Sequence, residues 1–270
     1  MQSLVVLLGV SLGPVVLFAQ ELAVPAATDA AELAKKLANP VASLISMPFQ
    51  NNTDVGIGTY NGSKNTLNIQ PVIPIKLTPN LNLIGRVVLP VITQHNITAE
   101  TTKESGFSDA VVSAFLSPAE PKNGIVWGAG PAFLVPTATN DLLGSKKFGI
   151  GPTALILKQT HGWTFGALIN QIWSVAGDDV RADVSQMFVQ PFIVHNWKSG
   201  AGVGLNADIT QNWEATTSSV FIIPSVSGVT KLGKQIVSIS VGPRIQVVAP
   251  NNNKADLGVR ATVVFVFPKK

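Results

Sequence analysis

The sequence predicts an all-β fold: a transmembrane, antiparallel, up-and-down β-barrel of about 12 strands with a short N-terminal helix. Three observations carry that expectation. The chain is 46% apolar but only 13% charged, where soluble domains are about a quarter charged. Beyond residue 40 no apolar run approaches the roughly 18 residues of a membrane helix, so a chain of this character enters a bilayer only as a closed barrel with every backbone amide paired. The same residues divide into strand-length runs, many alternating with a period of two, joined by connections that are long and short by turns.

The chain opens on an apolar run, Leu4 to Phe18, followed by Ala19-Gln20-Glu21. Interrupted by Gly9, Gly13 and Pro14, it is too short to span a bilayer and suits the apolar core of a signal peptide, with cleavage after Ala19. Residues 1–19 are therefore expected to be a signal peptide and 20–42 a leader. Within the leader, 28–38 (TDAAELAKKLA) forms an amphipathic helix. Thr28 or Asp29 caps it, Glu32 lies in its first turn, and Lys35 and Lys36 complement the dipole near its end. Its small apolar face (Ala30, Leu33, Ala34, Leu37) suits a membrane surface or a barrel mouth.

The barrel is expected over 43–270. Twelve strand candidates follow in order: 43–50, 65–75, 81–92, 108–116, 124–136, 149–159, 163–175, 185–196, 201–213, 219–231, 235–248 and 256–268. Each odd-numbered connection is longer than its even-numbered neighbours, as in barrels with long extracellular loops and short periplasmic turns. An even strand count then puts both termini in the periplasm.

Alternation assigns faces independently. In the last strand Leu257, Val259, Ala261, Val263, Phe265 and Phe267 share one side, and Asp256, Arg260 and Thr262 the other. Strands 65–75, 201–213 and 235–248 separate as cleanly, whereas 124–136, 163–175 and 219–231 leave their facing open. Apolar outside and polar inside is the pattern of a barrel in lipid. Trp127, Trp163, Trp173, Trp197 and Trp213 fall near strand ends, as an interfacial girdle requires. Proline opposes the scheme: Pro71, Pro74, Pro90, Pro131, Pro152, Pro191, Pro224 and Pro243 lie inside candidate strands, where each removes a ladder donor and demands a bulge or a strand end.

The polar faces supply the candidate lumen lining: Arg86, Asp109, Asn68, Gln70, Gln190, Asn206, Asp208, Asn212, Glu214, Arg244, Gln246 and Arg260. If Val248 pairs with Asp256, Arg244 and Arg260 stand directly opposite, which destabilises the hairpin unless a carboxylate or passing anion offsets them. Asp109, Asp208 and Glu214 are the candidates for that carboxylate.

Other chemistries find little support. No cysteine is present and the net charge is only +4, with basic residues scattered rather than gathered on one face, so no nucleic-acid partner is expected. His95, His161 and His195 lack ligand spacing and accompany no serine nucleophile motif, so neither a metal site nor a catalytic residue is assigned, and no cofactor is expected. Gly128-Ala129-Gly130-Pro131 and Gly149-Ile150-Gly151-Pro152 run on into strand rather than opening a helix, which rejects a phosphate loop and favours strand bending or close approach of a neighbour. Asp178, Asp179 and Asp183 cluster in a predicted extracellular loop, better read as solvated than as a divalent-cation site.

Several longer stretches carry a family resemblance: LAKKLANPVASLISMPFQNN (33–52), LNIQPVIP (67–74), FLSP (115–118), WGAGPAFLVPTATNDLLG (127–144), GPTALILKQ (151–159) and WSVAGDD (173–179). With them, residues 33–270 resemble the outer-membrane family named for the meta-pathway of phenol degradation, putative transporters also filed as "neuromedin U". The chain departs from that pattern at Thr53 and Val55, and in ending Phe267-Pro268-Lys269-Lys270. The resemblance implies a barrel in the bacterial outer membrane and suggests passage of small, hydrophobic or aromatic compounds. The expected function is a non-enzymatic channel or facilitator for small solutes, with outer-membrane lipids and lipopolysaccharide around it. The alternative is a non-conducting barrel with a structural or adhesive role.

Overall fold

The structure, a computed structural model, describes residues 27–40, 44–233, 235–250 and 253–267. The signal peptide expected at 1–19 and the terminal residues 268–270 lie outside them. Among the described residues the chain forms one helix and a closed antiparallel barrel of 12 strands. The helix α1 is Ala27–Leu37. The strands are β1 Ile45–Ile57, β2 Gly62–Ile69 with Val72–Thr78, β3 Leu81–His95, β4 Lys103–Phe107 with Ala110–Pro118, β5 Ile125–Val135 and β6 Lys147–Thr160. Then come β7 Trp163–Gly177, β8 Ser185–Asn196, β9 Ala201–Asn212, β10 Thr217–Leu232, β11 Gln235–Pro243 with Ile245–Val248, and β12 Leu257–Phe267. Each strand pairs with the next, and β12 closes on β1 from Ile45↔Phe267 to Val55↔Leu257. No edge is left to template aggregation.

The rhythm of connections holds with two corrections. The expected long first loop is a tight turn at 58–61, and connection 213–216 is no longer than 197–200. Strand β1 runs on to Ile57 because Asn51, Thr53 and Asn65 form a hydrogen-bonded ladder on the outer face: Asn65 Nδ2 donates to Thr53 Oγ1 at 2.7 Å and Asn51 Nδ2 to Asn65 Oδ1 at 3.0 Å. Thr93 and Ser105 pair likewise at 2.9 Å between β3 and β4. These ends stand above the apolar band, where an outward side chain no longer has to be apolar, so a search for apolar alternation stops short. The turn between β6 and β7 is His161-Gly162, both with positive φ, the conformation that matches the twist of a two-residue hairpin.

Each proline sits where the ladder is already interrupted. Pro131 falls between the pairs Ser113↔Ala132 and Leu116↔Ala129, Pro152 between Ile150↔Trp173 and Thr153↔Asn170, and Pro191 between Val189↔Ile209 and Phe192↔Asn206. Pro224 and Pro243 share the gap between Val226↔Val241 and Ile222↔Ile245. Pro71 divides the two segments of β2, Pro90 faces the break in β4, and Pro74 lies beyond the last contact of β2 with β1. At three of these gaps a glycine precedes the proline. A Cβ on Gly130, Gly151 or Gly242 would meet a neighbouring carbonyl oxygen at 1.9, 1.8 or 1.8 Å, so the Gly-Pro pairs are irregularities that only glycine permits.

The outer face is apolar, with Ile73, Ile75, Ile156, Ile169, Leu205, Val241 and Val259 among its exposed side chains. Trp127, Trp163 and Trp197 lie near the end that holds α1, Trp173 and Trp213 near the other, giving two aromatic belts. The inner face departs from the expected polar lining. Val72, Ile84, Phe115, Val126, Leu155, Leu157, Leu168 and Phe192 form a buried core along β2–β8. This is why 124–136 alternates poorly, since both of its faces are apolar, while in 163–175 Leu168 and Ile172 join Thr164 and Asn170 on the inner face.

Candidate functional site: a polar layer and a capped cavity

Opposite that core, the interior carries a hydrogen-bonded layer that crosses the barrel. Arg260 on β12 donates from Nε to Asn52 Oδ1 at 2.7 Å and from Nη2 to Asp208 Oδ2 at 2.5 Å. Asp208 lies on β9, with β10 and β11 between it and β12 around the wall, so this ion pair spans the lumen rather than a ladder. Gln190 Nε2 donates to the other Asp208 oxygen at 2.8 Å. On the far side of Arg260, Gln50 faces the guanidinium; turned oxygen-inward, its carboxamide accepts from Nε at 2.8 Å and Nη1 at 3.1 Å. Gln70 stands next to Gln50, and Arg86 Nη2 donates to Gln70 Oε1 at 2.8 Å. Arg260 and Asp208 are both nearly inaccessible, at 10% and 13% of side-chain surface.

Nearer the extracellular end lies a second pair, Arg244 with Asp54. The Arg244 guanidinium also rests 3.2 Å above the Phe221 ring centroid, a cation–π contact out of water. Room for the pair comes from Gly258, where a Cβ would meet Asp54 Oδ1 at 2.4 Å and Arg244 O at 2.5 Å. Lys64 on β2 stands within the field of both charges.

The expected opposition of Arg244 and Arg260 is corrected. Gly242 faces Arg260, and Arg244 N donates to Gly258 O at 2.8 Å. Val248 does not pair with Asp256, whose N–H bonds Val55 O at 3.0 Å. The last loop instead folds inward, with Ala255 N donating to Gln246 Oε1 at 2.8 Å. That offset lets each arginine take its own carboxylate.

The remaining sequence-derived lining residues fall in several places. Gln70, Arg86, Gln190, Asn206 and Arg260 line one cavity. Asn68 lies on β2 opposite Gln50 and Pro90. Gln246 is buried and joins β10 through Ser219 Oγ at 3.2 Å. Asn212 Oδ1 accepts from Ala215 N at 3.0 Å and shapes the turn 213–216, in which Glu214 is exposed rather than lining the lumen. Asp109 pins loop 136–146, accepting from Ser145 N and Oγ, both at 2.6 Å, and from Ala138 N at 3.3 Å. Asn52 and Asp54 fall in the loop expected from residue 51, and Gln50, the last residue of the first strand candidate, is absent from the expected lining. The alternation Ser46, Pro48, Gln50, Asn52, Asp54 was the available signal.

The cavity, about 280 Å³, lies between the polar layer and α1. The helix sits in the barrel mouth against β8, β9 and β10, with Ala30 and Ala34 buried. Few hydrogen bonds hold it: Gln159 Nε2 to Lys35 O at 2.7 Å and Asn196 Nδ2 to Ala34 O at 3.4 Å. Gly200 (φ +84°) admits it closely, since a Cβ there would stand 2.9 Å from Ala30 Cβ.

At the opposite end loops 136–146 and 178–184 clasp each other. Lys147 Nζ meets Asp183 at 2.9 Å, and Arg181 Nη2 donates to Asp141 O at 2.8 Å and Gly144 O at 2.5 Å. The Asp183 carboxyl is held below the usual carboxylate range by its hydrogen bond to Lys147, then that to Ser174. Asp178 caps its own turn through Val180 N at 2.9 Å, so Asp178 and Asp183 are separately engaged, while Asp179 is exposed. No group of three metal-ligating side chains gathers among the described residues. His161 Nδ1 contacts Thr160 Oγ1 at 2.8 Å, and His195 stacks edgewise between Trp163 and Trp197 at 4.6 and 5.2 Å on the outer wall.

No family model and no curated protein matches the sequence. Solved structures do. An outer membrane channel from Pseudomonas putida F1 superposes with a TM-score of 0.65 at 14% identity, over 83% of this chain and 96% of that one. By fold, the chain is an outer-membrane β-barrel. The outer membrane phospholipase A of Escherichia coli gives a TM-score of 0.46 at 11% identity, over 87% and 98% of the two chains. The transport unit of the autotransporter AIDA-I, also from Escherichia coli, gives 0.46 at 11%, over 90% and 98%. A closed barrel with an apolar outside, aromatic belts and short turns at the end holding both termini belongs in a bacterial outer membrane.

Proposed function

We propose that the barrel is a channel for passive passage of small solutes, with α1 as a removable closure of its periplasmic mouth. The observation that carries this reading is the seat of the helix. Two small alanines and a pair of side-chain hydrogen bonds hold it over a cavity that continues to the polar layer. A purely structural barrel has no need of a polar interior, which costs stability against an apolar one unless every group is paired. The structural likeness to a protein described as an outer membrane channel supports the reading. So does the resemblance to the phenol meta-pathway family, which favours hydrophobic or aromatic solutes.

The role is proposed as non-enzymatic: His95 ends β3 opposite Ser63, His161 lies in a turn and His195 packs between tryptophans. The surroundings are outer-membrane lipid along the apolar band and lipopolysaccharide around the polar strand ends of β1–β4. Single-channel recording in planar bilayers tests the proposal. Ala30→Trp or Ala34→Trp unseats the helix and is expected to raise open probability or conductance over the native barrel. If neither native protein nor variants conduct, and liposomes holding them do not swell in small solutes, the structural role takes the place of the channel.

A further inference from the structure

We infer that the cavity between α1 and the polar layer binds a small organic anion, a monocarboxylate with an apolar body, with its carboxylate at Arg86. This names the solute class for the proposed channel and rests on that reading.

The charge arrangement comes first. Lys64, Arg86, Arg244 and Arg260 face inward near two carboxylates, Asp54 and Asp208. Arg244 takes Asp54 and Arg260 takes Asp208. Arg86 is left with the neutral Gln70 oxygen, and among the described residues no carboxylate lies within ion-pair distance of it. A guanidinium drawn out of bulk water without a counter-charge is costly, and its planar fork matches a carboxylate in two parallel hydrogen bonds.

The wall around Arg86 has the same preference. Lys36, Arg86 and Arg260 line the cavity, and no Asp or Glu does among the described residues. Ser225 and Ser227 on β10 stand near Ser238 and Ser240 on β11, supplying hydroxyl donors. Val72, Phe192, Ile223 and Val264 supply an apolar surface in the same space. At about 280 Å³ the cavity has the volume of roughly nine waters at about 30 Å³ each, room for a single-ring or short-chain acid. A few convergent polar groups on an otherwise apolar wall is how small-molecule sites orient a ligand. Lys36 is paired with Glu32 and Arg260 with Asp208, so Arg86 is the cavity cation left for a solute carboxylate, which a cation or a neutral solute does not supply.

The test is titration calorimetry on the full barrel in detergent micelles, with benzoate as probe and benzamide as its neutral isostere. Benzoate is expected to bind at least about tenfold tighter than benzamide, with the preference falling as salt rises. Arg86→Gln should weaken benzoate by about 10- to 100-fold, the range for losing a charge-assisted contact, and leave benzamide unchanged; Arg86→Lys should restore part. Heat-modifiable migration confirms that each variant is folded. Equal affinity of native protein for the two probes overturns the inference without need of a variant, and so does unchanged benzoate binding in folded Arg86→Gln. Bilayer recording separates this outcome from failure of the channel itself. Benzoate binding without conductance keeps the site and removes the channel, whereas conductance with no benzoate preference does the reverse.

Discussion

Arg260 and Asp208 make the most demanding test of the interior. The guanidinium holds Asn52 and Asp208 at 2.7 and 2.5 Å, and hydrogen bonds to charged groups contribute about 1.5–3 kcal/mol each. Both side chains are almost fully shielded from solvent, so surface screening gives little relief. Arg260→Gln strands the Asp208 carboxylate on Gln190 alone, and Asp208→Asn leaves Arg260 without its counter-charge. Either change is expected to cost about 3–5 kcal/mol, the range for breaking a buried pair from one side. The double variant removes both charges together and should recover much of that loss, giving a coupling energy of at least about 2 kcal/mol. Urea unfolding in lipid vesicles, followed by tryptophan fluorescence, supplies the four free energies. Additive losses, or a single variant as stable as the native barrel, would refute the account of a charge pair joining β9 and β12 across the lumen.

Further expectations follow from other parts of the barrel. Gly258→Ala places a methyl group against Asp54 and Arg244; it should cost about 2–4 kcal/mol by displacing a buried pair, and Asp54→Asn should shrink that penalty. Gly151→Ala drives a Cβ onto the Gln171 carbonyl, so it should slow or abolish folding into vesicles, whereas Gly228→Ala, with open space around it, should assemble normally; equal assembly of the two would remove the role given to the Gly-Pro breaks. Leu157→Ala, at a site 1% exposed, should lose about 2–5 kcal/mol with no change in reversal potential, because it lies in the core sector and away from the polar wall. The Lys147–Asp183 clasp has a depressed carboxyl, so its contribution is complete above the unfolded value of about 3.9 and is lost as pH falls through the lower folded value. Loop proteolysis should therefore stay constant from pH 7 to about 4 and rise only below; release already near pH 6 would contradict it.

The architecture was legible because the bilayer imposes a strict rule on the outer face. Leu257 to Phe267 on β12, Val203 and Leu205 on β9, and Ile73 and Ile75 on β2 obey a period of two whatever fills the interior. Where lipid ends, the rule ends, and Asn51, Thr53 and Asn65 continue the sheet as a polar ladder that looks like loop. Asp54 was lost in that stretch, and with it the partner of Arg244. Asp208 was identifiable because it lies on a strand whose two faces separate cleanly. The register of the last hairpin was not legible. Its offset follows residues 255–256, where Ala255 N bonds the Gln246 side-chain oxygen and Asp256 N bonds Val55 O, contacts whose donors are backbone groups with no side-chain signature. Proline looked like an objection until the ladder showed gaps at Pro131, Pro152 and Pro191. The dipeptides Gly130-Pro131, Gly151-Pro152 and Gly242-Pro243 are the local signal that these breaks are built in.

The division of the interior bears on how a solute would pass. A barrel of this strand number has a lumen that side chains nearly fill, and here the filling is unequal. The buried core of Phe115, Leu155, Leu157, Leu168 and their neighbours stiffens the β2–β8 side as the core of a soluble domain would. The cavity that reaches the polar layer lies along the wall made by β8–β12 and β1–β3, and a second, of about 290 Å³, lies beside α1 at the mouth of β4–β6. The helix seats on β8, β9 and β10, at the mouth of that same sector, and the cavity it covers ends on Arg86 and Arg260. In the proposed channel, moving α1 would uncover a path along one polar wall and leave the core undisturbed. Opening such a path would break contacts that include those of Ala30, Ala34, Gln159 and Asn196 among the described residues, while the barrel wall keeps its ladder. Selection along it then falls to the arginines at the inner end of the cavity, with Arg86 the one whose charge no described carboxylate pairs.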